Sequence, residues 1–99
     1  MKKNINKLQL NELTDEDRYM ILNELNLSNE ECPENKIDLT LLFCKIDELT
    51  NSKWQLKNSL NAFAISFADY ETIYYNELID CLWNGIKELI CNMELMIHD

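Results

Sequence analysis

The sequence predicts an all-α fold, an antiparallel bundle of three or four helices, and three observations lead there. The 99 residues include a single glycine and a single proline, far below the usual ~7% and ~5%. Tight hairpin turns usually need such residues. Apolar residues recur at helical spacing over most of the chain, and 46% hydrophobic content provides the material for one core. The breaks between these patterns are short and polar, with asparagine doing the turn work. The expected organisation is a single acidic helical domain over residues 1–99, with a lead-in arm at 1–13 and the bundle at 14–99.

In the arm, Ile5, Leu8, Leu10 and Leu13 are apolar without a clean period. Coil or a short helix packed on the bundle is the favoured reading, with a short strand as the alternative. Thr14-Asp15-Glu16-Asp17 is a helix start: Thr14 can cap, and the acids complement the positive helix end. Tyr19, Ile21, Leu22 and Leu25 follow at helical spacing, and the helix should fade at Asn26-Leu27-Ser28. Ser28-Asn29-Glu30-Glu31 has the form of a capping box, but Pro33 two residues later turns it into a polar loop, with Pro33 near the first turn of the second helix. That helix should run to about Leu49. Thr50-Asn51-Ser52 is the next break, with Ser52 available as a cap.

From Lys53 onward, Leu56, Leu60, Phe63, Phe67, Tyr74, Leu78 and Leu82 recur close to every 3.5 residues. One helix over the last ~45 residues would be ~65 Å long, against a radius of gyration of ~13 Å for a compact domain of this size. A bend near Asp69 or Thr72, giving a bent helix pair over residues 53–97, is therefore expected. An extended coiled-coil dimer would keep the helix whole. Phe63, Ile65 and Phe67 alternate as in a strand, but Ala62, Ala64 and Ala68 favour the helix.

Charge narrows the function classes. There are 18 acids and 9 bases, for a net charge of −9. The first seven residues carry Lys2, Lys3 and Lys7 and no acid, while residues 58–99 carry seven acids and only Lys87. Direct nucleic-acid binding needs a basic surface, and an anionic membrane would repel this chain. A basic protein partner would be attracted. The longest uncharged run, Asn58–Ala68, is too short to span a membrane, and no apolar run follows the N-terminal lysines as in a signal peptide. A cytoplasmic location with reduced Cys32, Cys44, Cys81 and Cys91 is the expectation.

Catalysis lacks its parts. The lone histidine, His98, is one residue from the end, and no cation besides Lys87 follows Lys57 to activate Cys81 or Cys91. No C-x-x-C pair suggests zinc. Glu77 and Asp80 share a face at i,i+3 spacing, but no Glu-x-x-His motif completes a bundle metal site. No catalytic residue, metal or cofactor is expected, and the chain does not read as an enzyme.

The stretch ISFADYETIYYNELID, residues 65–80, holds three of the four tyrosines among four acids. On a helix, Phe67, Tyr74 and Leu78 face inward, and Asp69, Ile73, Glu77 and Asp80 form an outward stripe bordered by Tyr70. An apolar or aromatic anchor within a polar rim is the pattern of a protein interface. Asp69, Tyr70, Ile73, Glu77 and Asp80 are thus the candidate partner-binding residues. Three carboxylates over ~16 Å of helix are too sparse to imitate a duplex with one charge per ~1.7 Å. Mimicry would need the acids of residues 15–17 and 30–34 on the same surface.

The resulting expectation is a small acidic protein-binding module, sharpest as an inhibitor occupying the basic, nucleic-acid-binding surface of a partner, of the kind encoded by phages or mobile elements. The alternatives are an immunity- or antitoxin-type helical bundle neutralising a cognate toxin, and a structural helical homo-oligomer, for which a homodimer is the simplest form.

Overall fold

The computed structural model describes residues 2–92. Its elements are α1 (Lys7–Asn11), α2 (Asp15–Glu24), a 3₁₀ turn (Pro33–Lys36), α3 (Leu39–Thr50), β1 (Trp54–Ser59), β2 (Ala62–Phe67), β3 (Tyr70–Glu71), α4 (Leu78–Lys87) and a π-helical turn (Glu88–Asn92). The fold is α+β: four helices and a three-stranded antiparallel sheet in the order β1-β2-β3. This overturns the all-α bundle, because residues 54–71 form strands where a helix was expected. Residues 93–97 of that expected helix, and His98, lie outside the described residues.

The N-terminal half follows its local signals. The Thr14 hydroxyl accepts the Asp17 N–H at 3.1 Å, and Asp15, Glu16 and Asp17 occupy the first turn of α2. Asn26 adopts a positive φ of 61° just past its end. Pro33 opens the 3₁₀ turn, and α3 starts later than expected, at Leu39, with Asp38 as its cap. Asn51, at φ 59°, closes α3 in the left-handed conformation favoured after helices. Ser52 caps no helix; its hydroxyl donates to Asp47. The arm docks through Ile5, which is fully buried and donates its N–H to the Ile37 carbonyl at 3.1 Å. Asn4 makes a single antiparallel bridge with Asp38 before the short helix α1 begins.

The hairpin forms without glycine. Leu60 and Asn61 connect β1 to β2, both at positive φ (49° and 64°), as a type I′ turn requires. Ala68-Asp69 connects β2 to β3, with positive φ at Ala68 alone, the φ pattern of a type II′ turn. The scarcity of glycine argued against hairpins, but Leu60, Asn61 and Ala68 take these conformations themselves. The chain does reverse at Ala68–Asp69, near the expected bend, as a strand turn rather than a helix break.

The core lies between sheet and helices. On β2, Ile65 and Phe67 are buried. Helix α4 runs across them, with Ile79, Cys81, Leu82, Trp83, Gly85 and Ile86 all buried. Gly85 marks the junction of three elements: a Cβ there would lie 2.3 Å from Ile65 Cδ1 and 3.7 Å from Ile46 Cδ1 of α3. The one glycine is thus spent on close packing. Trp54 of β1 packs on Phe43 of α3, ring centroids 5.5 Å apart, and its indole N–H donates to Asp47 at 3.0 Å.

Candidate functional site: an acidic cleft around Tyr70

The four residues expected on one helical stripe, and Tyr70 expected at its border, are distributed over four pieces of structure. Asp69 lies in the β2–β3 turn, Tyr70 in β3, Ile73 in the segment after β3, Glu77 at the N-cap of α4 and Asp80 in its first turn. The helical stripe is therefore replaced by a surface assembled from turn, strand edge and helix start. Of the set expected to face inward, Phe67 is buried, Leu78 is half-buried and Tyr74 is 48% exposed.

Glu77 and Asp80 are engaged by the chain itself. Lys2 Nζ lies 2.8 Å from Asp80 Oδ1, which also accepts from Gln9 Nε2 at 2.8 Å. The Lys2 backbone N–H approaches both Glu77 carboxylate oxygens at 3.4 Å. The basic arm thus lies on the acidic start of α4. Part of the charge segregation seen along the sequence is cancelled within the fold.

The segment after β3 carries a bulge. Between the Ser66–Glu71 and Phe63–Tyr75 pairs, β2 advances three residues and the opposing segment four, so one residue is extra. Thr72 fills the gap in the ladder: its N–H donates to the Ile65 carbonyl at 2.9 Å, and its hydroxyl accepts the Ile65 N–H at 3.0 Å. With Thr72 buried, Ile73 and Tyr74 are left outward, Ile73 at 70% exposure.

Tyr70 has a different role from the one its sequence position suggested. It stacks on Phe67, centroids 5.3 Å apart. It also lines a cleft of about 200 Å³ together with Leu13 from the segment before α2, Asp17 from the first turn of α2, Asn84 and Lys87 from α4, and Glu88, Cys91 and Asn92 from the π-helical turn. Burial and the nearby Glu88 carboxylate push the Tyr70 phenol above its ordinary pKa, so at neutral pH it is a hydrogen-bond donor. Burial, and then the Asp17 carboxylate, push the Cys91 thiol up to about 11, so it is a neutral thiol and a poor nucleophile. Cys81 is raised by burial as well. None of these groups supplies an activated nucleophile, and among the described residues no three His, Cys, Asp or Glu side chains group as metal ligands.

Among the described residues, the cleft joins an aromatic ring to two carboxylates, Asp17 and Glu88, with Lys87 as its single cation. A ring face and carboxylates in a partly enclosed site suit a guanidinium or ammonium group. Asp17 belongs to the acids near residues 15–17 that any extended acidic surface required. It lines the same cleft as Tyr70 from more than fifty residues away in the chain, which no local pattern announces. Glu88 and Asn84 were missed for the same reason.

No protein-family model matches the chain, and neither a curated protein nor a solved structure matches it.

Proposed function

We propose that this protein is a small acidic module that binds a basic surface of another protein and blocks it. The observation that carries this reading is the Tyr70 cleft, where Asp17 and Glu88 stand beside a half-buried aromatic ring. A cleft of about 200 Å³ has room for one arginine or lysine side chain of the partner. Asp69, exposed in the adjacent turn, extends the negative rim, and Ile73, three residues along the edge, provides an apolar contact ~10 Å away. Interfaces commonly combine such an anchor with a charged rim. The sharpest version is an inhibitor of a protein whose basic groove otherwise holds nucleic acid. Exposed free thiols at Cys32 and Cys44 suit the reducing cytoplasm, and among the described residues no helix is long and apolar enough to cross a membrane.

The test is affinity capture from the source cells with the wild-type protein and with an Asp17→Lys, Glu88→Lys double variant. A specific partner held at about 50 mM salt, released by about 500 mM and lost with the variant is the expected outcome. A partner retained by the variant, or retained at both salt concentrations, would place the interface elsewhere. Competition by added DNA or RNA identifies a nucleic-acid-binding groove as the target; its absence points to a dedicated partner such as a toxin.

A further inference from the structure

Among the described residues, the outer edge of β1 is the one long strand edge left open. On the other side of the sheet, Phe63 exchanges both its backbone groups with Tyr75, at 2.7 and 2.8 Å, and Ile65 spends its own on Thr72. The β1 residues opposite them, Asn58 and Leu56, therefore form the non-hydrogen-bonded pairs of the β1–β2 ladder. Their N–H and C=O groups point away from β2, and by alternation so do those of Trp54. Among the described residues no backbone hydrogen bond outside the ladder reaches residues 54–59. Helix α3 packs on β1 at Trp54, but Leu56 stays 42% exposed and Leu60, in the turn, 97% exposed.

We propose that β1 pairs antiparallel with β1 of a second copy of this chain, joining the two sheets into one. Two features select the occupant and the register. The first is charge. Residues 51–61 carry Lys53 and Lys57 and no acid, so two chains of net charge −9 can meet along this edge with no acid in either strand. Lys57 does not bar the edge, because it lies across the outer face of the sheet with its ammonium 3.1 Å from Glu71. The second is hydrogen-bond parity. Outward-pointing residues must pair with outward-pointing residues, so registers differ in steps of two. Only one register uses Trp54, Leu56 and Asn58 together: Leu56 opposite Leu56 of the second copy, and Trp54 opposite Asn58. In that register Lys57 faces Gln55. One step either way places Lys57 opposite Lys57 or opposite Lys53, and like charges directly opposed are destabilising. The same register sets Leu60 level with Ser52 of the second copy, beside its Trp54. Both exposed leucines of the hairpin are then covered.

A single strand pair is small for an interface, below ~1,200 Å², so the dimer is weak, with a dissociation constant of roughly 10–1,000 µM. Its salt dependence is opposite to that of a basic partner. Salt screens the repulsion between two acidic copies and strengthens the dimer. The test is sedimentation velocity from about 10 µM to about 1 mM. The expected result is a sedimentation coefficient that rises with concentration and with salt, and a Leu56→Lys variant, shown folded by circular dichroism, that stays monomeric. In a Cys32→Ser, Cys44→Ser background, Leu56→Cys should oxidise to a covalent dimer faster than Gln55→Cys, whose own copy is not opposite. That comparison decides the register even where Leu56→Lys fails to fold. A monomer throughout the range, a dimer indifferent to Leu56→Lys, or equal cross-linking at Leu56→Cys and Gln55→Cys would each overturn the proposal.

Discussion

The two edges of the sheet are built on different principles. The β3 edge is two residues long and then bulges, with Thr72 turned inward to complete the ladder. A short, bulged edge is a poor template for another strand, and what it offers a partner is side chains: Tyr70 over the cleft, Asp69 in the turn, and Ile73 and Tyr74 outward. The β1 edge is six residues long, without a bulge, and offers backbone. Its charge is opposite too, two lysines and no acid over residues 51–61 against an acidic surface around Tyr70. One sheet thus presents side chains at one edge and open backbone at the other, the first proposed to meet a basic partner and the second a strand. The difference comes from one inserted residue between Glu71 and Tyr75 and from where the lysines fall.

Both edges rest on β2, so the largest expected effect is at its contact with α4. Gly85→Val should cost about 3 kcal/mol, the upper end for overpacking a core. A Cβ already meets Ile65 Cδ1 at 2.3 Å, and the branched γ carbons add to it. Chemical denaturation should show a lower midpoint or no folded state, and both edges should be lost together. A Gly85→Val variant as stable as wild type would mean that α4 and β2 pack less closely than described.

Thr72→Val separates the edges. It leaves the shape of the side chain but removes the acceptor for the buried Ile65 N–H, at about 2 kcal/mol. The loss should act on the β3 side. Hydrogen exchange should accelerate at Ile65 and Tyr75 while the β1–β2 pairs nearer the turn stay protected. Uniform acceleration along all three strands would show that the edges are not independent.

Leu60→Gly acts on the opposite side. A leucine at φ 49° carries roughly 1–2 kcal/mol of left-handed strain, partly offset by the chain entropy glycine adds to the unfolded state. The expected net gain is about 0.5–1 kcal/mol in monomer stability, read as a higher melting temperature in dilute solution. Self-association at high concentration should weaken, because the covered leucine is gone. A gain in both would detach Leu60 from the dimer.

The smallest effect is expected at the arm. Lys2→Ala removes an ammonium shared by Asp80 and Gln9 and should cost about 0.5 kcal/mol or less, most of it gone at high salt. It should also free the Asp80 carboxylate, while Glu77 keeps its contact with the backbone N–H of residue 2. Tighter binding of a basic partner by Lys2→Ala would show that the arm competes for Asp80, and unchanged binding would leave the interface at the Tyr70 cleft.

How much of this was legible follows from the range of each interaction. The α2 cap, the loop from Ser28 to Pro33 and the break at Thr50–Ser52 depend on neighbours within a few residues, and the expected boundaries fall close to the observed ones. The hairpin was misread because Trp54, Leu56, Phe63, Ile65 and Phe67 fit a period of two, while Leu56, Leu60, Phe63 and Phe67 also fit 3.5. Three alanines and the lack of turn glycines then tipped the choice toward helix. Propensity is a weak prior, and it lost to packing on α4. Of the site, the outward position of Ile73 and the acidic character of the stretch could be read from the sequence. The engagement of Glu77 and Asp80 by Lys2, and the meeting of Asp17, Tyr70 and Glu88, could not.

By itself the sequence determined the charge, the Thr14 cap, the breaks and the presence of one core, because these depend on composition or on contacts along the chain. The tertiary structure alone decided that residues 54–71 would be strands, which acids stay available to a partner and which strand edge stays open. Those outcomes rest on contacts between residues far apart in the chain, such as Gly85 with Ile65 and Lys2 with Asp80. Only the folded arrangement sets the distances on which those contacts depend.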